Sequence, residues 1–281
     1  MPSSSGARYG GLMILGFSFV GLRGLIAALA LSVFVGAVHA VEPALEGLEH
    51  GPKARVVEVI DGDTVVLADG LQVRLVGIQA PKLPLGRKNF PTWPLGEEAK
   101  SELEEIVQGR DVQLLYGGRP LDRNGRALAH LVVDGEIWVQ GEMLERGFAR
   151  VYTFPDNRAL VPELMMRERS AREARRGIWT DVFYALRTPE TVGAYIDGYE
   201  LVEGRVRRVG QSGGRTYLNF GADFKTDFTA VISSRDGRLF EAAGIDPESY
   251  EGHVVRIRGW VESLNGPMIE VTHPEQIELV K

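Results

Sequence analysis

The sequence predicts a mainly β, α+β chain made of two small β domains in succession. Three observations lead there. Apolar residues alternate from Val56 to Gly77, two stretches of helical period follow the third and fifth strands, and from Leu201 onward short strands recur between Gly, Asp and Asn residues. With 281 residues, 44% apolar content and 14 prolines, the chain is long and apolar enough for two ordinary cores and is not a disordered polymer.

The elements follow in order. Val57 and Val59, then Val65 and Leu67, alternate on either side of Asp61-Gly62, which predicts two strands joined by a turn; Val73, Leu75 and Gly77 extend the meander after a second turn at Asp69-Gly70. A loop rich in proline, lysine and aromatics (residues 81 to 96) carries Arg87, Lys88, Phe90 and Trp93. Ala99, Leu103, Ile106 and Val107 then recur at helical spacing until Gly109 stops the run. Residues 112 to 116 and 127 to 133 read as strands, and Val139, Met143 and Leu144 as a short helix ended by Gly147. An arginine-rich helix runs from Pro162 to Arg176 and closes at Gly177. Its arginines alternate with Glu163, Glu168 and Glu173, the pattern of a solvated, pair-stabilised face. Beyond a connecting segment, strands are expected at 201–209, 216–220, 228–232, 253–261 and 268–271, with a helical turn at 239–243, together a second small barrel. The domain limits are therefore 54–180 and 198–281, with linkers at 41–53 and 181–197.

Residues 1 to 40 contain Arg8 and Arg23 as their only charges, then an apolar run from Gly24 to Val38 that ends in Val38-His39-Ala40. This is the layout of an export signal cleaved after Ala40, read from Met1 or from a start at Met13, and it implies a periplasmic or secreted protein. The run is shorter than the roughly 20 residues that span a bilayer, so no stable membrane anchor is expected after cleavage. Net charge is -6 overall; residues 54–180 hold 18 Lys+Arg against 19 Asp+Glu, and residues 181–281 hold 11 against 16. A broadly basic footprint for nucleic acid is absent, so any phosphate recognition must be local. The acidic C-terminal domain is a candidate surface for a protein partner. With no cysteine, disulfides, thiolate metal sites and a cysteine nucleophile are excluded.

Chemistry-bearing residues concentrate in VVEVIDGDTVVLADGLQVRLVGIQAPK, residues 56 to 82, and in Asp122-Arg123-Asn124-Gly125-Arg126. Seen alone, Asp61-Gly62 is a hairpin turn, Arg74 a solvated strand residue and Arg126 a turn charge. Together, the D-G-D-T turn, the arginine of R-L and the D-x-x-G-R turn resemble the staphylococcal nuclease (thermonuclease-like) family over about residues 54 to 180. The resemblance implies an OB-type barrel, a five-stranded closed sheet. It implies Asp63 as a calcium ligand, with Asp61, Gln79 and the backbone carbonyl of Ala80 around it, and Arg74 and Arg126 as the catalytic phosphate clamp. TYLNFG (216–221) and VRIRGWV (255–261) look like OB-fold strands of nucleic-acid-binding proteins.

The chain departs from the family where an acidic D-T-P-E segment is expected and Gln79-Ala80-Pro81-Lys82 stands instead. One metal carboxylate becomes an uncharged amide. The glutamate implied as general base becomes Lys82, which in its ordinary protonated form has no lone pair to accept a proton. A positioned base is worth roughly 10²- to 10⁴-fold in rate. The reading is a protein that binds DNA, RNA or another phosphodiester through Arg74 and Arg126, with weak calcium binding and impaired hydrolysis. Lys82, Arg87, Lys88 and Tyr152 are expected to assist substrate binding. Two alternatives stand beside it: an active divergent calcium-dependent endonuclease, with Asp61 or Glu98 as base, and a non-catalytic interaction module of the cell envelope.

Overall fold

The computed structural model describes residues 43 to 280, and the segment expected to be an export signal, residues 1–40, lies outside them. The first sheet starts with β1 (Glu49–Asp61), β2 (Thr64–Leu67) and β3 (Gln72–Leu75), followed by the short β4 (Ile78–Gln79) and helix α1 (Gly96–Val107). Then come β5 (Asp111–Tyr116), β6 (Ala127–Val133), β7 (Ile137–Trp138), α2 (Val139–Glu145), β8 (Arg150–Val151) and α3 (Val161–Glu173). The strand order is β3-β2-β1-β5-β6-β7, and a parallel pairing of β3 with β6 closes five strands into a ring. β1 can serve two neighbours because it is long and bulged. Its first half pairs with β5 and its second half with β2, with register shifts at 50/53, 56/58 and 59/61 that bend it round the barrel. Val56, Val65, Val73, Leu75, Leu114 and Leu131 are fully buried, and α1 and α2 add Leu103, Val107, Met143 and Leu144 to the same core.

The second sheet contains β9 (Tyr199–Arg205), β10 (Arg208–Ser212), β11 (Arg215–Asn219), β12 (Thr229–Ile232), helix α4 (Ser234–Ala242), β13 (Val254–Ser263), β14 (Pro267–Glu270) and β15 (Ile277–Leu279). β10 continues β9 after a break at residues 206–207 and pairs with β11; β12 runs parallel to β14; β13 joins β14 to β9. A meander, a helix, and two further strands of which the last runs parallel to the third: the connectivity repeats that of the first barrel. It has its own core, with Phe228, Phe240, Val255, Ile257 and Val261 fully buried. The predicted fold class is therefore present, with a second OB-like sheet after the first.

Several elements differ from expectation. β1 begins at Glu49, so the end of the expected linker 41–53 is strand, paired with β5. The expected helical turn at 239–243 is the end of a longer helix, started by the Ser233 side chain accepting from the Asp236 N–H. The segment 181–197 is tied down: Tyr184 Oη donates to Pro94 O at 2.7 Å, Arg187 Nε to Glu200 Oε2 at 2.9 Å, and Val192 is in the second core. The arginine-rich helix α3 is not simply a solvated face, because Glu168 on it has no exposed surface.

Glu168 is buried against the second barrel. Its Oε1 accepts from Arg258 Nη2 at 3.0 Å and Arg172 Nη1 at 2.9 Å, and its Oε2 accepts from Arg258 Nη1 at 3.0 Å and the Val151 N–H at 2.6 Å. Arg258 on β13 is fully buried too. Burial alone would raise the Glu168 pKa, but the two guanidinium groups and the amide outweigh it and hold the carboxyl below its usual range. Around this pair, Arg256 bridges Glu278 and Glu203, Arg158 meets Glu275 at 2.7 Å, Tyr199 Oη donates to Val151 O, and Thr153 Oγ1 lies 2.7 Å from His273 Nε2. The two barrels are thus joined by a buried polar network between two separate apolar cores, in which the Nε groups of Arg256 and Arg258 have no hydrogen-bond partner among the described residues.

Removing one half of a buried pair strands the other, at a cost of about 3–5 kcal/mol. We therefore expect Arg258→Met to lower the unfolding free energy by that amount in denaturant titration; a loss below about 1 kcal/mol would mean that water reaches Glu168. Burial holds the imidazole of His273 down at about 4. Its pKa is lower folded than unfolded, so the unfolded chain takes up the proton first. Stability is then lost as pH falls from 6.5 towards 4, by about 3 kcal/mol at 1.36 kcal/mol per unit. Thermal melts over that window should lose part of their pH dependence in His273→Gln, which keeps a polar group near Thr153 without titrating; the remainder belongs to His130, whose imidazole burial holds down at about 3.

Candidate functional site

The site is assembled from the β1–β2 turn, β3 and the segment after β4. Gly62 sits in the turn for steric reasons: a Cβ there would lie 2.6 Å from the Ala80 Cβ and 2.9 Å from the Ala99 Cβ. The two neighbouring aspartates are consequently pressed inside. Asp61 is 5% and Asp63 0% exposed. Asp61 Oδ1 accepts from the Asp63 N–H at 3.1 Å, and Asp63 Oδ1 accepts from Thr64 Oγ1 at 3.3 Å.

The other oxygen of Asp63 is crowded with donors. Lys82 Nζ lies 2.7 Å from Oδ2, the Ala80 N–H 2.7 Å and Arg74 Nη2 3.1 Å. Lys82 Nζ is also 3.9 Å from Asp61 Oδ2. Arg74 is held by three backbone carbonyls, with Nη1 donating to Asp63 O and Leu75 O and Nη2 to Ile78 O. Burial, the largest single influence, would raise the Asp63 pKa, yet Arg74, Lys82 and the Ala80 amide together overcome it and hold the carboxyl well below the usual carboxylate range. The Lys82 pKa moves down because burial outweighs the pull of Asp63 and the Arg74 charge adds to the loss. The Asp61 pKa moves up, through burial and the adjacent Asp63 carboxylate.

Gln79 faces a different cation. Its Oε1 accepts from Arg150 Nε at 3.0 Å and Nη2 at 2.8 Å, and β4 and β8 pair Gln79 with Arg150 directly. Arg150 is buried beneath aromatic rings, 4.8 Å from the centroid of Tyr199 and 5.8 Å from those of Trp93 and Tyr184. Sequence reasoning missed it, and an arginine inside an apolar stretch between Ala149 and Val151 was the available signal.

Calcium takes six to eight oxygen ligands and favours several carboxylates. As arranged, these residues do not fit it: Asp63 Oδ2 is enclosed by three nitrogen donors, the Gln79 oxygen is taken by a guanidinium, and the Ala80 group nearest Asp63 is its N–H. Among the described residues no group of three or more His, Cys, Asp or Glu side chains is placed to hold a metal.

The remaining expected residues divide. Asp122 orders its turn, accepting from the N–H groups of Asn124 and Arg126 and, at 2.7 Å, from Arg126 Nε. Arg126 keeps its two terminal nitrogens without a partner among the described residues. The parallel register pairs Arg74 with Leu128, two residues beyond Arg126, so alternation puts the two arginines on one side of the sheet. Arg87 does not join them: it folds onto Leu83 O and Pro84 O and covers the Phe90 ring. Lys88 is exposed on the same loop. Tyr152 belongs to an aromatic cluster beside Gln79 and Arg150, where its Oη accepts from Trp260 Nε1. His130 is structural, with Nδ1 accepting from Trp138 Nε1 at 3.3 Å.

Residues 72–181 match the family model described as staphylococcal nuclease homologue. Among curated proteins, the chain is 37% identical over 168 residues to Protein ParB of Escherichia coli, a match covering 56% of this chain and 84% of that protein. It is 28% identical over 130 residues to a thermonuclease of Staphylococcus hyicus, covering 45% and 75%. A probable staphylococcal-like nuclease of Oryza sativa subsp. japonica is 35% identical over 133 residues, 47% of this chain. The chain spans 34% of the length of that rice protein and 64% of an uncharacterized Bacillus anthracis relative. The closed barrel, the D-G-D-T turn with its arginine on β3, and the extent of these matches lead to one conclusion: the chain belongs to the staphylococcal nuclease family.

Proposed function

We propose that this chain binds the phosphodiester backbone of nucleic acid at the mouth of its first barrel, and that hydrolysis there is impaired. One observation carries the reading: the Lys82 ammonium lies 2.7 Å from Asp63 Oδ2. An ammonium in that position neutralises the carboxylate that the family resemblance assigns to a metal, and it offers no lone pair for activating water while it is protonated. The cations that remain suit a phosphate. Arg126 presents the free end of a planar fork, Arg74 is fixed by three carbonyls with its Nε left over, and Lys82 is partly exposed. Relatives named as nucleases support nucleic acid as the ligand class. Such a cationic site stabilises ground state and transition state alike, so it favours binding over turnover.

Fluorescence anisotropy with labelled DNA at graded salt tests the binding half. We expect Arg126→Ala to weaken binding about uniformly across sequences and to reduce the salt slope by about one, as loss of one phosphate contact does. Absence of binding at low salt, or hydrolysis by the unmodified chain at enzyme-like rates that Asp63→Ala abolishes, would sink the proposal.

The geometry also ranks the changes that would restore hydrolysis. Gln79→Asp alone leaves Lys82 on Asp63 and should bring no calcium uptake in isothermal titration calorimetry. Lys82→Glu removes the occupying ammonium and should bring weak uptake. The two together should give calcium-dependent DNA cleavage, coupled more than additively because they act on one site. Cleavage by Gln79→Asp with Lys82 intact would show that the ammonium is not what closes the site.

A further inference from the structure

The second barrel carries an excess of acid, yet one edge of it is basic. Arg205, Arg207, Arg208 and Arg215 fall within the eleven residues from 205 to 215, between the end of β9 and the start of β11, and all four are exposed. Carboxylates of the neighbouring segments are engaged elsewhere: Glu203 with Arg256, Glu251 with the Val209 N–H at 2.8 Å, and Glu248 with Gln211 Nε2 at 3.0 Å. Arg205 donates to Gly252 O, whereas the side chains of Arg207, Arg208 and Arg215 have no partner among the described residues. Guanidinium groups left unanswered on an acidic domain make a local positive patch, and their permanently charged, planar forks suit phosphate.

Strand register sets two of these arginines around an aromatic ring. Residues directly opposite across an antiparallel pair share a face, and here Arg208 is opposite Asn219, Gly210 opposite Tyr217 and Ser212 opposite Arg215. Leu218, between Tyr217 and Asn219, is fully buried in the second core, so the set lies on the outer face. Tyr217 is partly exposed in the middle of it. Gly210 adds no side chain beside the ring: a Cβ there would meet nothing closer than Asn219 Nδ2, at 3.9 Å. Asn219 Nδ2 turns back onto Arg208 O at 3.3 Å and Tyr217 O at 3.4 Å, which leaves its Oδ1 to accept from a ligand. Arg208 and Arg215 stand at the two ends, four residues apart along the hairpin, or about 14 Å at the usual rise of a strand. Anions spaced along a chain, with flat hydrogen-bonding rings between them, are what a nucleic-acid strand offers. A duplex keeps its ring faces inside its own stack, so the form that fits is single-stranded.

We propose that the β10–β11 hairpin of the second barrel is a separate binding face for single-stranded nucleic acid, with Arg208 and Arg215 on phosphates, Tyr217 stacked on a base and Asn219 on a base edge. The ligand class rests on the reading given under Proposed function, but the face shares no residue with the first barrel. The second barrel then holds a strand by its own contacts.

Fluorescence anisotropy of the full chain in a chelator, with labelled oligothymidylate and oligouridylate over a salt series, tests this and tells whether DNA or RNA is preferred. Each phosphate contact of a single strand contributes about 0.7 to the log–log salt slope, so Arg208→Ala with Arg215→Ala should lower the slope by about 1.4. Tyr217→Ala should weaken binding about tenfold, the effect of one stacked base, with the slope unchanged, while Tyr217→Phe keeps the affinity. All three positions are on the surface, and the variants should melt at the temperature of the unmodified chain. An unchanged slope in the double arginine variant, or an unchanged affinity in Tyr217→Ala, overturns the face. So does equal competition by inorganic polyphosphate, which has the charge without the rings. In each of those cases a slope still lowered by Arg126→Ala leaves the phosphate site of the first barrel in place. A slope lowered by the hairpin changes but not by Arg126→Ala removes that site and keeps this one, and failure to bind either strand at low salt overturns both.

Discussion

A carboxylate with no exposed surface must be compensated, and the β1–β2 end of the first barrel is organised around that requirement at Asp63. Three chain segments meet on it: Arg74 from β3, Ala80 and Lys82 from the stretch after β4, and the β1–β2 turn that carries the aspartate itself. Each donor is in turn constrained. Arg74 is pinned by three carbonyls, and Ala80 approaches closely enough to exclude any side chain at position 62. A cation is needed here whatever the chemistry, because an unpaired buried charge costs several kcal/mol. Here a covalently attached ammonium supplies it.

The same logic recurs at Arg150 and Arg258, two buried guanidinium groups that bind the first barrel to the second. Arg258 is answered by the fully buried Glu168. Arg150 is answered at close range by an amide oxygen and aromatic faces, with the Glu200 and Glu168 carboxylates acting on its charge from further away. It touches Gln79 of the first barrel on one side and the Tyr199 ring of the second on the other. Changes in the second barrel therefore have a short path of packed groups to the β4 segment on which Arg74 and Asp63 depend.

This arrangement explains how a nuclease-family barrel can keep its arginines while its acidic segment is altered. The arginines have structural partners of their own: carbonyls for Arg74 and Asp122 for Arg126. Binding by arginine forks does not require a metal-filled centre, because their charge is permanent and their donors already point in fixed directions.

The order of strands and helices in the first barrel was legible in the residues, since periods of 2.0 and 3.6 and the glycine stops are local signals. Asp61, Asp63 and Arg74 were legible only through the family resemblance, because the D-G-D-T turn and the R-L of β3 are each short local motifs. Gln79 and Lys82 were legible as departures, and their charges were enough to put a metal centre in doubt. What only the tertiary structure decided is which charge answers which. Lys82 meets Asp63 across 19 residues, Arg150 meets Gln79 across 71, and Arg258 meets Glu168 across 90. Helix α3 read from its own residues is a solvated ladder of paired charges, and Trp260 is one aromatic in a strand. Periodicity records which face of an element is apolar, but the partner of a buried charge is set by distance in space, and that exists only after the two barrels have closed and packed together.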